Sequence, residues 1–158
     1  MHRLVACLAE PGRKLVVYLT FGDPDPATSV AIVKAVANAG ADIVELGVPF
    51  SDPSADGPVI QAAMERALRR GATLTGALDL VERVRREGLL VPLVLFGYYN
   101  PLYVYAGGLA AFCTRARDAG VDGLLVVDLP VDEMGELAAP ASQAGLELVP
   151  FLAPTSTD

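Results

Sequence analysis

The chain is poor in the residues that build metal centres and disulfide frameworks. Its 158 residues include two cysteines, Cys7 and Cys113, and one histidine, His2. Two cysteines this far apart in sequence make no disulfide framework. A lone histidine near the N-terminus argues against a metal site. No apolar run approaches the roughly 20 residues of a membrane span. The N-terminus lacks a charged region followed by a long apolar one, so no secretion signal is read there, and the cytoplasm is the expected location. Positive charge is also scarce. Lys and Arg number 12 against 19 Asp and Glu, for a net charge of −7, and the basic residues are scattered. That pattern argues against nucleic acid and against an anionic membrane surface. Phosphorylated small molecules stay open, because backbone amides and helix N-termini hold phosphate with little Lys or Arg. No glycine-rich phosphate loop is present.

What the chain has is apolar and periodic. Hydrophobic residues make up 53% and aromatics 6%, which suits an α/β protein filled with Ala, Val and Leu. Strand-like runs fall at Leu15–Leu19, Ile43–Leu46, Pro92–Phe96, Gly123–Val127 and Glu147–Leu152. They are continuous rather than alternating, as parallel strands buried on both faces require. Between them lie amphipathic helices. Asp25-Pro26 reads as an N-cap and first-turn proline before Val30, Val33, Val36 and Ala37. Ile60, Met64, Ala67 and Leu68 share a face after Pro58, and Leu74, Ala77, Leu78, Val81 and Val84 follow a Thr73 cap. Later helices are expected over 107–118 and 133–143, with Pro140 as a point where the last one ends early or kinks.

A weak repeat ties these units together. Gly40, Gly88, Gly120 and Gly145 each stand between a helix and the next strand, where a left-handed cap favours glycine. Ala39-Gly40-Ala41-Asp42 recurs as Ala119-Gly120-Val121-Asp122. The pattern predicts a single α/β domain over residues 1–158. A closed (β/α)₈ TIM barrel takes roughly 250 residues and seldom fewer than 200. The expectation is therefore about the first five βα units of such a barrel. Pro154-Thr155-Ser156-Thr157-Asp158 reads as a loop entering another helix, as in the N-terminal part of a longer protein.

The most informative segment is Glu45-Leu46-Gly47-Val48-Pro49-Phe50-Ser51-Asp52-Pro53-Ser54-Ala55-Asp56-Gly57-Pro58. The strand delivers Glu45 among apolar neighbours at its end, where an unpaired charge is costly and burial raises a carboxyl pKa toward an acid/base range. Asp56 has two readings, a helix cap before Pro58 or a second acid on the catalytic face. Ser51 and Asp52 read as turn residues.

This segment resembles the alpha subunit of tryptophan synthase, residue for residue, and the likeness extends over about residues 14–154. It implies retro-aldol cleavage of indole-3-glycerol phosphate, with Glu45 as general acid/base and Asp56 as the acid that accepts the indole N–H. Phe96-Gly97-Tyr98-Tyr99-Asn100-Pro101 places Tyr98 at the substrate pocket, together with Leu125 and Tyr18. The family commonly has phenylalanine at the Tyr18 position and a smaller apolar residue at Phe96, so both are departures. Asp128, before Leu129-Pro130, is implied to order the active-site loops. Pro49, Asp52, Pro53, Asn100 and Pro101 are implied to face a partner. That partner is the beta subunit, in an α₂β₂-type assembly. Pyridoxal phosphate is expected only on the beta subunit, and this chain needs neither cofactor nor metal. The alternative reading is an inactive fragment or partner-binding module of the same family.

Overall fold

The computed structural model describes residues 2–152 and 154. Five parallel strands form one sheet in sequential order. They are β1 (Val16–Thr20), β2 (Ile43–Gly47), β3 (Leu93–Gly97), β4 (Gly123–Val126) and β5 (Glu147–Leu148). The helices are α1 (Arg3–Ala9), α2 (Pro26–Asn38), α3 (Pro58–Arg69), α4 (Leu74–Arg86), α5 (Tyr99–Tyr103), α6 (Gly108–Ala119) and α7 (Gly135–Ala144). A 3₁₀ turn, Val131–Glu133, precedes α7. Sequential parallel order with a helical crossover between each pair of successive strands is the arrangement of a β/α barrel wall. Among the described residues no helix is long and apolar enough to cross a membrane.

The central strands β2, β3 and β4 are buried on both faces, as their continuous apolar runs require. The edge strands β1 and β5 are only partly buried, and Val16 is 44% exposed. The outward side chains Val44, Leu46, Leu93, Leu95, Leu124 and Val126 pack with Val33, Leu78, Val81, Phe112 and Leu137 of the helices. A second, smaller cluster of Leu4, Ile43, Val94 and Leu125 occupies the concave face. Helix starts follow the sequence cues. The Asp25 carboxylate accepts the Thr28 amide at 2.8 Å, and the Thr73 hydroxyl accepts the Gly76 amide at 3.0 Å. All four predicted cap glycines have positive φ, between 74° and 104°, a conformation that only glycine adopts cheaply.

The repeated aspartates do the same work twice. Asp42 Oδ2 accepts the Leu15 amide at 2.7 Å, and Asp122 Oδ2 accepts the Leu93 amide at 2.8 Å. Each carboxylate stands just before one strand and ties down the start of the preceding strand. Asp122 is 2% exposed and also meets Arg85 at 2.6 Å and Arg3 at 2.8 Å. The Arg85 guanidinium bonds the carbonyls of Leu89, Val91 and Gly120 as well. Burial lowers the Arg85 pKa to about 10 despite the Asp122 carboxylate beside it.

The structure departs from the sequence expectations in several places. Only Glu147 and Leu148 pair with β4, so the last strand is shorter than the expected 147–152. Pro140 lies within α7 and does not end it. The carbonyl that Pro140 leaves without an amide belongs to Glu136, which is exposed and open to solvent. Leu68 is 38% exposed, and the buried stripe of α3 is carried by Ala63, Met64 and Ala67. Helices α1 and α5 were not expected.

Candidate active site

Glu45 is the one residue of β2 that is not buried. Its position on the concave face follows from strand alternation. Ile43, Glu45 and Gly47 face inward while Val44 and Leu46 face the helices. Tyr18 of β1 is its register partner on one side and Val94 of β3 on the other. Among the described residues no group donates a hydrogen bond to the Glu45 carboxylate. Burial alone pushes its pKa above the ordinary value. A carboxyl held this way gives and takes a proton nearer neutrality than an exposed one.

Asp56 sits in the opposite environment. The Tyr98 hydroxyl donates to Asp56 Oδ2 at 2.6 Å and accepts the Ala55 amide at 3.0 Å. Tyr98 is 2% exposed, and its ring stacks on Phe50 with centroids 5.0 Å apart. Its phenol is pushed up to about 12, by burial first and by the hydrogen bond to Asp56 second. The cap reading of Asp56 does not hold. Gly57 is the N-cap of α3, without any side-chain cap bond, and Asp56 spends its carboxylate on Tyr98. Gln61, in the first turns of α3, reaches back to the carbonyls of Asp56 at 2.8 Å and Pro53 at 3.3 Å. Sequence reasoning passed over Gln61, and no motif marks it.

The Tyr18 phenol lies within reach of the charge of both carboxylates. Its ring leans across β2 where Gly47 has no side chain, and a Cβ there would collide with the Tyr18 hydroxyl. The ring also meets Phe96 edge-on at 5.0 Å. Burial raises the Tyr18 pKa, and the charges of Asp56 and Glu45 raise it further, so the phenol lies in the field of both acids. The Thr20 hydroxyl stands 3.5 Å away. Leu125 is buried on the same concave face, in the cluster with Ile43 and Val94.

Asp128 Oδ1 accepts the Tyr99 amide at 2.7 Å. This bond fixes the start of α5 against the end of β4. Asn100 and Asp128 then line one groove with Tyr99, Tyr103, Glu133 and Glu136. Of the other residues with an implied partner role, Asp52 is exposed, Pro53 and Pro101 are half-buried, and Pro49 is buried. Asp52 has a local turn role. Its carboxylate accepts the Ser51 hydroxyl at 2.5 Å and its carbonyl accepts the Ser54 amide at 2.8 Å. The site thus brings Glu45, Asp56, Tyr18 and Tyr98 together, with Asp128 steadying the neighbouring loop.

Residues 4–158 match the family model described as tryptophan synthase alpha chain. The tryptophan synthase alpha chain of Burkholderia mallei is 54% identical over 154 residues, covering 97% of this chain and 56% of that protein. The crystal structure of tryptophan synthase subunit alpha from Legionella pneumophila superposes with a TM-score of 0.93 at 37% identity. That superposition covers 99% of this chain and 61% of the other. A chain from the tryptophan synthase α₂β₂ complex of Pyrococcus furiosus gives 0.84 at 42% identity, covering 91% of this chain and 60% of the other. This chain therefore spans a little over half the length of the curated relatives it matches. The β/α barrel wall, the placement of its acids and these matches agree, and the chain belongs to the tryptophan synthase alpha chain family.

Proposed function

We propose that this chain carries the two catalytic carboxylates of a carbon–carbon lyase that cleaves indole-3-glycerol phosphate to indole and glyceraldehyde 3-phosphate. The observation that carries this reading is the contrast between the two acids. Glu45 is partly buried, has no hydrogen-bond donor among the described residues, and its pKa is raised by that burial. Asp56 is held in place by a 2.6 Å hydrogen bond from Tyr98. Two carboxyl groups whose environments differ in this way are suited to different roles in one site.

Glu45 delivers a proton to C3 of the indole ring and removes the proton of the side-chain hydroxyl on the adjacent carbon. The bond between C3 and that carbon then breaks. Its electrons return to the ring as indole, and the carbon leaves as the aldehyde. No net proton is gained or lost. Protonation at C3 places positive charge on the ring nitrogen, and Asp56, accepting its N–H, stabilises that charge. Tyr98 keeps Asp56 aimed. Tyr18, Phe96 and Leu125 form the wall around the aryl group.

The same reading places the reaction in the cytoplasm, in partnership with a tryptophan synthase beta subunit that carries pyridoxal phosphate and receives the indole. The exposed Asp52 and the Asn100–Pro101 segment are the surface proposed to face it. The test is a cleavage assay on the protein as its gene encodes it, with and without a beta subunit of this family. Equal release of indole and glyceraldehyde 3-phosphate is expected. No release under either condition, with the beta subunit still co-purifying, would leave a partner-binding module instead.

A further inference from the structure

The apolar cluster on the concave face is closed by a helix as well as by strands. Ile43, Val94 and Leu125 stand two residues before Glu45, Phe96 and Val127 on their respective strands. Two residues advance a strand by roughly 6–7 Å on the same face. Val94 is in register with Glu45 and Leu125 with Phe96, while Ile43 lies one inward step below Glu45, and these three buried side chains pack together as an apolar floor to the concave face. The residue that closes them from below is Leu4 of α1, which is 3% exposed. Leu4 comes so near β4 that a Cβ on Gly123 would lie 3.0 Å from its Cδ2. Glycine at an inward strand position makes room for that approach.

Helix α1 has little to hold it by itself. It is seven residues long, without a side-chain cap, and isolated helices this short are unstable in water. Its tertiary anchors are specific. Arg3 Nε meets Asp122 Oδ1 at 2.8 Å, and Arg3 Nη2 donates to the Gly120 carbonyl at 3.1 Å. Cys7 packs one turn further along against the same cluster, with its thiol 3.5 Å from the Asp42 carbonyl. Leu4 is thereby held beside Gly123, one inward step before Leu125 on β4, in the same cluster as Val94.

We propose that Leu4 is a positioning residue that sets the depth of the aryl pocket, and with it the enzyme's discrimination against ring-substituted substrates. This rests on the lyase reading. Leu4 does not touch the reacting atoms. It supports Leu125 and Val94, and a packed apolar floor rejects even one extra methyl group. Shortening Leu4 lets the floor sink toward the vacated space.

The experiment compares indole-3-glycerol phosphate with its four analogues methylated at positions 4 to 7 of the ring. Parent, Leu4→Ala and Leu4→Val proteins are assayed as encoded by the gene. For Leu4→Ala, the ratio of kcat/KM for the methylated substrate to kcat/KM for the parent substrate should rise about tenfold at one or more ring positions, the scale on which apolar pockets count a methylene. Leu4→Val should show a smaller rise at the same position, and it decides the matter if Leu4→Ala does not fold. A purely structural role lowers the amount of active protein and leaves the ratio unchanged. Ratios within twofold of the parent's at all four positions overturn the proposal while leaving the lyase reading intact. No cleavage by the parent protein overturns the lyase reading, and the depth proposal with it.

Discussion

The Tyr98 hydroxyl donates to the Asp56 carboxylate at 2.6 Å while accepting the Ala55 amide at 3.0 Å. One buried phenol thus fixes both the backbone and the side chain of a loop acid. Asp56 lies on an irregular segment with exposed residues on either side, so without Tyr98 its direction would rest on Gln61 and the turn alone. The stacked Phe50 ring holds the phenol from its face.

Replacing Tyr98 with Phe should cost about 1.5–3 kcal/mol of stability at neutral pH, the usual worth of a hydrogen bond to a charged group. The loss should depend on pH in a definite direction. A phenol raised to about 12 in the folded state binds its proton more tightly there than in the unfolded chain. Its contribution is complete below its ordinary value of 10 and fades as the pH climbs toward 12. Denaturant unfolding at pH 8 and pH 11 should show the gap between parent and variant narrowing. A constant gap contradicts the coupling of this phenol to the fold.

Asp56→Asn should lower kcat more than it raises KM. The amide keeps the size and a hydrogen-bonding oxygen but carries no charge to set against the ring nitrogen. If KM alone rises in steady-state assays, Asp56 binds the ground state and has no special hold on the transition state.

Glu45 costs the fold stability when ionised, because burial raises its pKa in the native state alone. Between the unfolded and the raised folded pKa the native state holds more protons, so stability falls as the pH rises through that window. Glu45→Gln should therefore be more heat-stable than the parent at pH 8, with the advantage vanishing at pH 4. Thermal unfolding at the two pH values checks this. A variant less stable than its parent at pH 8 would show that the carboxylate is stabilised by partners rather than desolvated.

Asp122→Ala should destabilise by about 3–5 kcal/mol, the usual result of removing one member of a buried ion pair. Arg85, itself 12% exposed, would lose its carboxylate, and the Leu93 amide would lose its acceptor. The loss appears in chemical denaturation. A change below 1 kcal/mol would mean that water replaces the carboxylate at the base of β3.

Much of this was legible from local pattern. The apolar runs at Val44, Leu93 and Leu124 read as strands buried on both faces because they are, whereas the run at Val16 forms an edge strand that is only partly buried. The cap glycines were legible because their backbone conformation excludes other residues at little cost. Glu45 stood out as a single charge inside a buried run, and the structure leaves it the one accessible residue of its strand. What stayed hidden depends on distant partners. Helix α1 has a single fully buried side chain, Leu4, and takes its hold from Asp122 more than a hundred residues away. Helix α5 starts where the Asp128 carboxylate accepts the Tyr99 amide, a bond no local pattern announces. By itself Asp56 reads as a helix cap, since only the fold brings Tyr98 to it. The last strand was over-read because Val149 to Leu152 is apolar, yet pairing with β4 extends only over Glu147 and Leu148.

The most direct measurement is single-turnover cleavage of indole-3-glycerol phosphate by the parent and Glu45→Gln proteins, as encoded by the gene, in the presence of a beta subunit. The substitution keeps size and hydrogen bonding while removing proton transfer. The parent should release indole, and the variant should do so about 10²–10⁴-fold more slowly while still binding the substrate. Turnover by Glu45→Gln at a rate near the parent's would contradict the assignment of Glu45 as the group that moves the proton.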